Sequence, residues 1–237
     1  MRELELSPRL MALARQVPTG ARVADIGTDH AYLPVWLIRH GIVPEAIAAD
    51  LREGPLARGI EVARQWEVPE GRISFRCCDG LAGLTSHEVD TIVIAGMGGE
   101  TIAHILTETP WSRDPGLLYL LQPMSSVPEL RRFLTEEGFS IEEEIYAQEE
   151  DKLYVIFRVR PGDTRAYTLG EQWLGRQSRG ELSSLRQQYM DDVISRRTRA
   201  LVGMRQAAGR MEPQIAKLEE LLRQMTVMRE EWRSWQR

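Results

Sequence analysis

A short apolar run, one glycine and a polar tripeptide set what this chain can fold into: Val23-Ala24-Asp25-Ile26-Gly27-Thr28-Asp29-His30, leading into the apolar-rich segment Ala31 to Ile38. That order predicts a buried strand, a tight turn and a helix, the opening unit of a doubly wound sheet. Ligands of such sheets bind beyond the carboxyl ends of the strands, so Gly27 to His30 are expected to line a pocket. Gly27 can take a positive φ and carries no Cβ to hold a ligand off the backbone. A turn that receives a pyrophosphate usually carries three glycines. Here one glycine is followed by Thr28 and Asp29. A carboxylate at that place repels a pyrophosphate and suits a cation or a polar amino-acid group. The turn therefore favours S-adenosylmethionine over NAD.

The same grammar repeats downstream. Leu4 to Val17 has the apolar spacing of a helix, with Ser7-Pro8 as its expected cap and first position. A helix over Ala31 to Arg39 should stop at Gly41, and Glu45 to Leu51 reads as a second strand. Asp50 ends that strand 23 residues after Gly27, close to the roughly 20-residue spacing of an acid that holds ribose hydroxyls. A helix over Pro55 to Trp66 and a strand over Ile73 to Cys78 lead to Asp79-Gly80, where a carboxylate and an open glycine could receive an adenine. Val89 to Ala95 reads as a fourth strand ending in Gly96-Met97-Gly98-Gly99, a run expected to let the backbone approach ligand or substrate. Leu117 to Leu121, then Ser140 to Tyr146 and Leu153 to Val159, complete seven strands. The last two, separated by the acidic Gln148 to Lys152, are expected as an antiparallel hairpin at the sheet edge.

After Pro161-Gly162 the strand signals stop. Leu182, Leu185, Tyr189 and Val193 follow helical spacing, as do Met211, Ile215, Leu218, Leu222, Met225 and Trp232. Sustained a/d spacing predicts a helical hairpin or coiled coil, with Ala208-Gly209 as the link and Glu212-Pro213 opening the second helix. Charge divides at the same place. Residues 1–161 carry a net charge of −9 and residues 162–237 one of +4, within a total of −5. The expected organisation is thus a catalytic unit over 1–161 and a basic helical unit over 162–237 suited to an anionic partner. Arg196, Arg197 and Arg199 form its densest cluster.

The rest of the composition excludes classes. No apolar stretch approaches the length that crosses a bilayer, so no membrane partner is expected. Four scattered histidines and no spaced Cys/His cluster argue against a metal site. Two adjacent cysteines, Cys77 and Cys78, and no secretory start predict a reducing, cytoplasmic compartment. The oligomeric state is left open, with a monomer as the simpler expectation.

Asp25-Ile-Gly-Thr-Asp-His-Ala-Tyr-Leu-Pro34, Ala49-Asp50-Leu51, Asp79-Gly80-Leu81, Ala95-Gly-Met-Gly-Gly-Glu-Thr101 and Leu121-Gln-Pro-Met124 together resemble the bacterial tRNA (adenine-22, N1)-methyltransferase family. The resemblance spans essentially the whole chain. It implies a Rossmann-like class I methyltransferase sheet with seven strands, the last pair antiparallel, and a C-terminal helical hairpin. It further implies S-adenosylmethionine as donor and tRNA as acceptor. Matched positions then imply Gly27, Asp50, Asp79, Gly80 and Gly96 around the cofactor, with Asp25, Thr28, His30, Leu51 and Met97 beside them. Asp29 is the implied acid near the reacting groups. In one place the chain departs from the pattern: Cys78 stands before Asp79 where glycine is expected.

Adenine N1 already carries a lone pair, so its methylation needs alignment more than a general base. Asp29 is expected to stabilise the developing ring charge or to take a proton from the exocyclic amine. Its alternative role is to cap the helix that follows. His30 reads as a hydrogen-bonding residue, not a catalyst. Rival readings are a small-molecule methyltransferase, which would not need a basic hairpin, a NAD-dependent oxidoreductase, which lacks its glycines here, and a non-catalytic RNA-binding protein on the same fold.

Overall fold

In the computed structural model, which describes residues 4–179, 183–206 and 212–236, a short helix α1 (Pro8–Ala14) precedes an alternation of strand and helix. This runs β1 (Val23–Ile26), α2 (Tyr32–Arg39), β2 (Ala46–Asp50), α3 (Glu53–Gln65), β3 (Ile73–Cys77), β4 (Thr91–Gly98), α4 (Gly99–Thr107), β5 (Leu118–Ser125) and α5 (Val127–Glu136). A hairpin of β6 (Phe139–Glu149) and β7 (Lys152–Pro161) follows, then α6 (Leu169–Leu174), α7 (Ser184–Gln206) and α8 (Glu212–Trp235). The sheet order is β3-β2-β1-β4-β5-β7-β6. Strands β1 to β5 pair in parallel, and β7 inserts antiparallel between β5 and β6. Every residue of β1 is buried, as expected of a central parallel strand covered on both faces. The expected α/β sheet, with its last pair antiparallel, is present.

Several boundaries move for physical reasons. Leu4 to Val17 shrinks to Pro8–Ala14, because Pro8 fixes the first helical position and Pro18 disfavours helix at Val17. Ser7 sits at the cap position, yet its hydroxyl donates to Glu149 of β6 at 2.8 Å and caps nothing. The expected loop at Gly96–Gly98 is strand: β4 runs on, with Met97 opposite Pro123 and Gly98 opposite Ser125, across two register shifts. The hairpin turn is confined to Glu150–Asp151, since Gln148 and Lys152 still pair with their neighbours.

The helical segment departs most from a simple seam. On α7, Tyr189 and Met190 are both buried, as are Val193 and Ile194. Burial of adjacent positions makes a wide face, because α7 contacts β6 as well as α8. On α8 the fully buried residues are Leu221, Met225 and Trp232, with Leu218 and Leu222 half-buried. The expected Leu182, Met211 and Ala208-Gly209 lie outside the described residues. One apolar cluster runs from Ile26, Ile94 and Leu121 of the sheet through Phe157 to Tyr189, Met225 and Trp232. A buried arginine spans the same boundary. Arg131 of α5, wholly buried, donates to Glu144 of β6 at 3.0 and 2.7 Å and to the carbonyls of Gln172 and Trp173 at 2.9 and 3.0 Å.

None of the described helices is long and apolar enough to cross a membrane. Among the described residues no group of three or more His, Cys, Asp and Glu side chains could hold a metal ion.

Candidate active site

The carboxyl ends of β1, β2, β3 and β4 lie on one rim, and the chain ties them together. Gly27 N and Thr28 N both donate to the Ala49 carbonyl, at 2.8 and 3.0 Å. Cys78 N donates to the Asp50 carbonyl at 3.0 Å. Gly27 has φ +75°, and a side chain there would collide with the Met97 thioether. The close approach that Gly27 allows is thus taken in this structure by Met97, an unbranched and flexible filler that a ligand can displace.

Below the turn, Asp25 is buried, and that burial pushes its carboxyl up to about 6, with the Asp50 charge adding and the nearby Thr28 hydroxyl partly offsetting. The Thr28 hydroxyl is itself buried without a partner of hydrogen-bond geometry. Its polar neighbour there is the Asp25 carboxyl, whose pKa it lowers. Asp50 accepts from Arg52 N at 2.8 Å through Oδ1, which leaves Oδ2 available. Leu51 beside it is 64% exposed, an apolar surface at the ligand end of a strand. A half-used carboxylate and an exposed leucine suit a ribose with a ring attached, so the residues fit an adenosyl group.

Asp29 is mostly exposed and held from two sides. Arg58 Nη2 of α3 donates to Oδ1 at 2.8 Å, and His30 Nδ1 lies 3.0 Å from Oδ2. The Arg58 hydrogen bond, joined by His30, holds its carboxyl below the usual range against a small burial cost. The helix-cap role does not hold, because α2 is led by Ala31, in the left-handed region at φ 53°, with no side-chain cap. His30 in turn stacks on Tyr32, ring centroids 5.3 Å apart.

At the third strand end, Asp79 is exposed and Gly80 takes φ +51°, where a side chain would press on Ile105 of α4. Cys78 fits because Gly83 leaves it room: a Cβ on Gly83 would stand 2.8 Å from the Cys78 sulfur. Gly99 has a packing cause, since its missing Cβ would press on the Ser126 and Ser125 carbonyls at 2.6 and 2.9 Å. Gly96, at φ +76°, remains open to the rim.

Sequence reasoning missed two residues here. Arg58 lies 29 residues from its partner Asp29 and carries no local signal. Gln122, fully buried, accepts from Gly96 N at 3.1 Å and from Arg9 Nη1 at 2.8 Å. It thereby anchors the β4 turn and ties in α1. A glutamine ending an apolar strand was the visible clue. The predicted basic cluster is divided: Arg196 pairs with Asp192 at 2.7 Å, Arg197 lies over the Trp173 ring at 4.7 Å, and Arg199 is exposed.

Comparison with known proteins agrees with this geometry. A model of the methyltransferase domain matches residues 6–157. The tRNA (adenine(22)-N(1))-methyltransferase of Bacillus subtilis strain 168 is 37% identical over 168 residues, 70% of this chain and 69% of that one. The crystal structure of the Bacillus subtilis m1A22 tRNA methyltransferase superposes with a TM-score of 0.84 at 27% identity, covering 94% of this chain and 98% of that chain. Streptococcus pneumoniae Sp1610 in complex with S-adenosyl-L-methionine gives 0.80 at 28% identity, with the same coverage.

Proposed function

The chain belongs to the tRNA (adenine-22, N1)-methyltransferase family, and from that premise we propose that its rim of strand ends methylates N1 of an adenine in tRNA. It is an S-adenosylmethionine-dependent methyltransferase acting at position 22. The observation that carries the site assignment is the convergence of Gly27, Asp50, Asp79 and Gly96 on one rim, with Asp29 above it.

When bound, S-adenosylmethionine supplies an electrophilic methyl group on a sulfonium centre. The remaining contributions are the chain's own. The free Asp50 oxygen accepts from ribose hydroxyls, and Leu51 covers the ring beside them. Asp79 accepts the exocyclic amine, and Gly80 leaves space for the ring. Asp25, with the Thr28 hydroxyl beside it, and His30 bracket the turn, and Met97 would have to move off Gly27 to admit the ligand. N1 attacks with its own lone pair, so the residues align and do not deprotonate, and alignment is worth up to about 7–11 kcal/mol. Asp29 is a poor proton acceptor, because Arg58 and His30 hold it ionised. Its role is to offer negative charge to the cationic ring as the bond forms.

Residues 162–237 are proposed as the tRNA-docking unit, with their positive balance facing the phosphates. The deciding experiment incubates the protein with S-adenosylmethionine and unmodified tRNA. Nucleoside mass spectrometry should then show 1-methyladenosine, and primer extension should stop at position 22. Methyl groups in another nucleoside, or none, overturn the assignment.

A further inference from the structure

A cleft of about 660 Å³ opens beside the active rim. One wall is the end of β5, Pro123 to Ser125, whose Pro123 and Ser125 pair with Met97 and Gly98 at the end of β4. The opposite wall is Trp173 with Tyr189 and Arg197. A second cleft, of about 370 Å³, lies beyond Trp173 and shares it, with Pro128 and Glu129, as a common border. Trp173 is thus a partition between two connected clefts, half-buried, with the Arg197 guanidinium over its ring.

The chemistry of the two clefts differs. In the first, Lys152, Arg196 and Arg197 are balanced by Glu129, Asp151 and Asp192. A neutral cleft with many donors, acceptors and aromatic surface suits a base better than a phosphate. In the second, Arg132 and Lys217 outnumber Glu129, which suits backbone phosphate. Single-stranded RNA is recognised by stacking unpaired bases on aromatic rings and arginine planes. The first cleft is of the size that holds a drug-sized ligand, more than one base requires.

We infer that Trp173, with Arg197 stacked on it, is the platform for a second unpaired nucleotide of the tRNA, next in the chain to the adenine being methylated. The inference rests on the tRNA-methyltransferase reading of the same site. The β5 end of the cleft takes the reacting adenine, and the Trp173 end takes its neighbour. Trp173 and Arg197 then set which unpaired sequence is accepted.

The test uses the full chain with S-adenosylmethionine, tRNA transcript as substrate, and tryptophan fluorescence. A base stacked on an indole quenches it, and a purely packing tryptophan would show no RNA-dependent change. Saturating tRNA should quench wild-type emission, and Trp173→Phe should lose most of that quench while still binding tRNA. Trp173→Ala should raise the KM for tRNA about tenfold or more, the scale of one base–aromatic stack, with S-adenosylmethionine affinity unchanged. Arg197→Gln should raise it severalfold. If Trp173→Ala does not fold, Trp173→Phe and Arg197→Gln decide, since both keep the local packing. An undiminished quench in Trp173→Phe, or a KM within twofold of wild type in Arg197→Gln, overturns the platform. Absence of 1-methyladenosine from wild-type reactions overturns the functional reading instead, and the quench assay stands independently of it.

Discussion

The sheet rim and the C-terminal helices use charge in opposite ways. On the rim, acids stand at the ends of strands with capacity to spare: Asp50 keeps a free oxygen and Asp79 is exposed. In the helices, cations outnumber acids, but many of the cations are paired with acids of the same segment. Arg229 and Arg233 share Asp191 at 3.3 and 3.1 Å, Arg205 bridges α7 to Glu219 of α8, and Arg223 pairs with Glu220. The net charge of a segment therefore does not say which of its cations a partner would meet unpaired. What counts is which charges have no partner, and composition does not report that.

The two regions are nonetheless joined by Arg131, which its Glu144 partner holds in place, and the largest effect should come from breaking that pair. Glu144→Ala leaves the buried guanidinium unpaired, a loss of about 3–5 kcal/mol. Arg131 also holds the carbonyls of Gln172 and Trp173, so sheet and helices should melt together at a lower temperature. Two separated transitions in calorimetry would show that the regions are independent. Asp25 comes next. Burial pushes its carboxyl from the ordinary 3.8 up to about 6, so between those values the folded state holds more protons. Stability therefore falls as pH rises from below 4 through 6, by about 3 kcal/mol in total. Asp25→Asn should abolish that loss. The stability difference between wild type and variant, followed by denaturant titration across this range, should drift by that amount, and a flat difference would refute the burial argument.

The rim can be probed separately. Asp50→Ala removes a charged acceptor worth roughly 1.5–3 kcal/mol, so S-adenosylmethionine should bind at least tenfold more weakly in calorimetry while tRNA binds as before. Equal affinity would remove Asp50 from the pocket. Asp29→Asn keeps the shape but loses the charge. It should lower kcat on the order of tenfold, less than the 10²–10³ of a buried oxyanion donor because Asp29 is exposed. The melting temperature should not change, since Asp29 caps nothing. Full turnover would leave the Arg58 pair as a surface contact.

These contrasts also explain what could be read from residues alone. The strand ends at Gly27, Asp50 and Asp79-Gly80 were legible because each is an apolar run broken by a glycine or an acid, a pattern only a few positions long. The antiparallel final pair was legible from two alternating runs. The continuation of β4 through Gly96–Gly98 was not, because three glycines signal a loop, while here Gly99 lacks a side chain for the sake of the Ser125 and Ser126 carbonyls. Arg58, Gln122 and Trp173 were missed for a common reason: each acts on a partner from another element. The α7 face was misjudged because heptad spacing assumes one partner helix, and α7 has both a helix and a strand against it.

The smallest effect separates a free cation from a paired one within a single turn of α7. Arg199 is exposed without an ion-pair partner among the described residues, whereas Arg196, three positions earlier, is 2.7 Å from Asp192. If α7 faces the tRNA backbone, Arg199 displaces a condensed counterion on binding. Arg196 is already neutralised by a carboxylate of its own helix, so it should displace less. Each phosphate neutralised contributes about 0.7–0.9 to the slope of log affinity against log salt. Arg199→Gln should therefore make the slope shallower by nearly one, and Arg196→Gln by clearly less, with folding unaffected in both because each side chain is on the surface. Reversal of that order would mean that Asp192 releases Arg196 when RNA arrives. Wild-type slopes in both variants would make this stretch of α7 a solvated face and move the docking surface to the Arg132 and Lys217 side of Trp173.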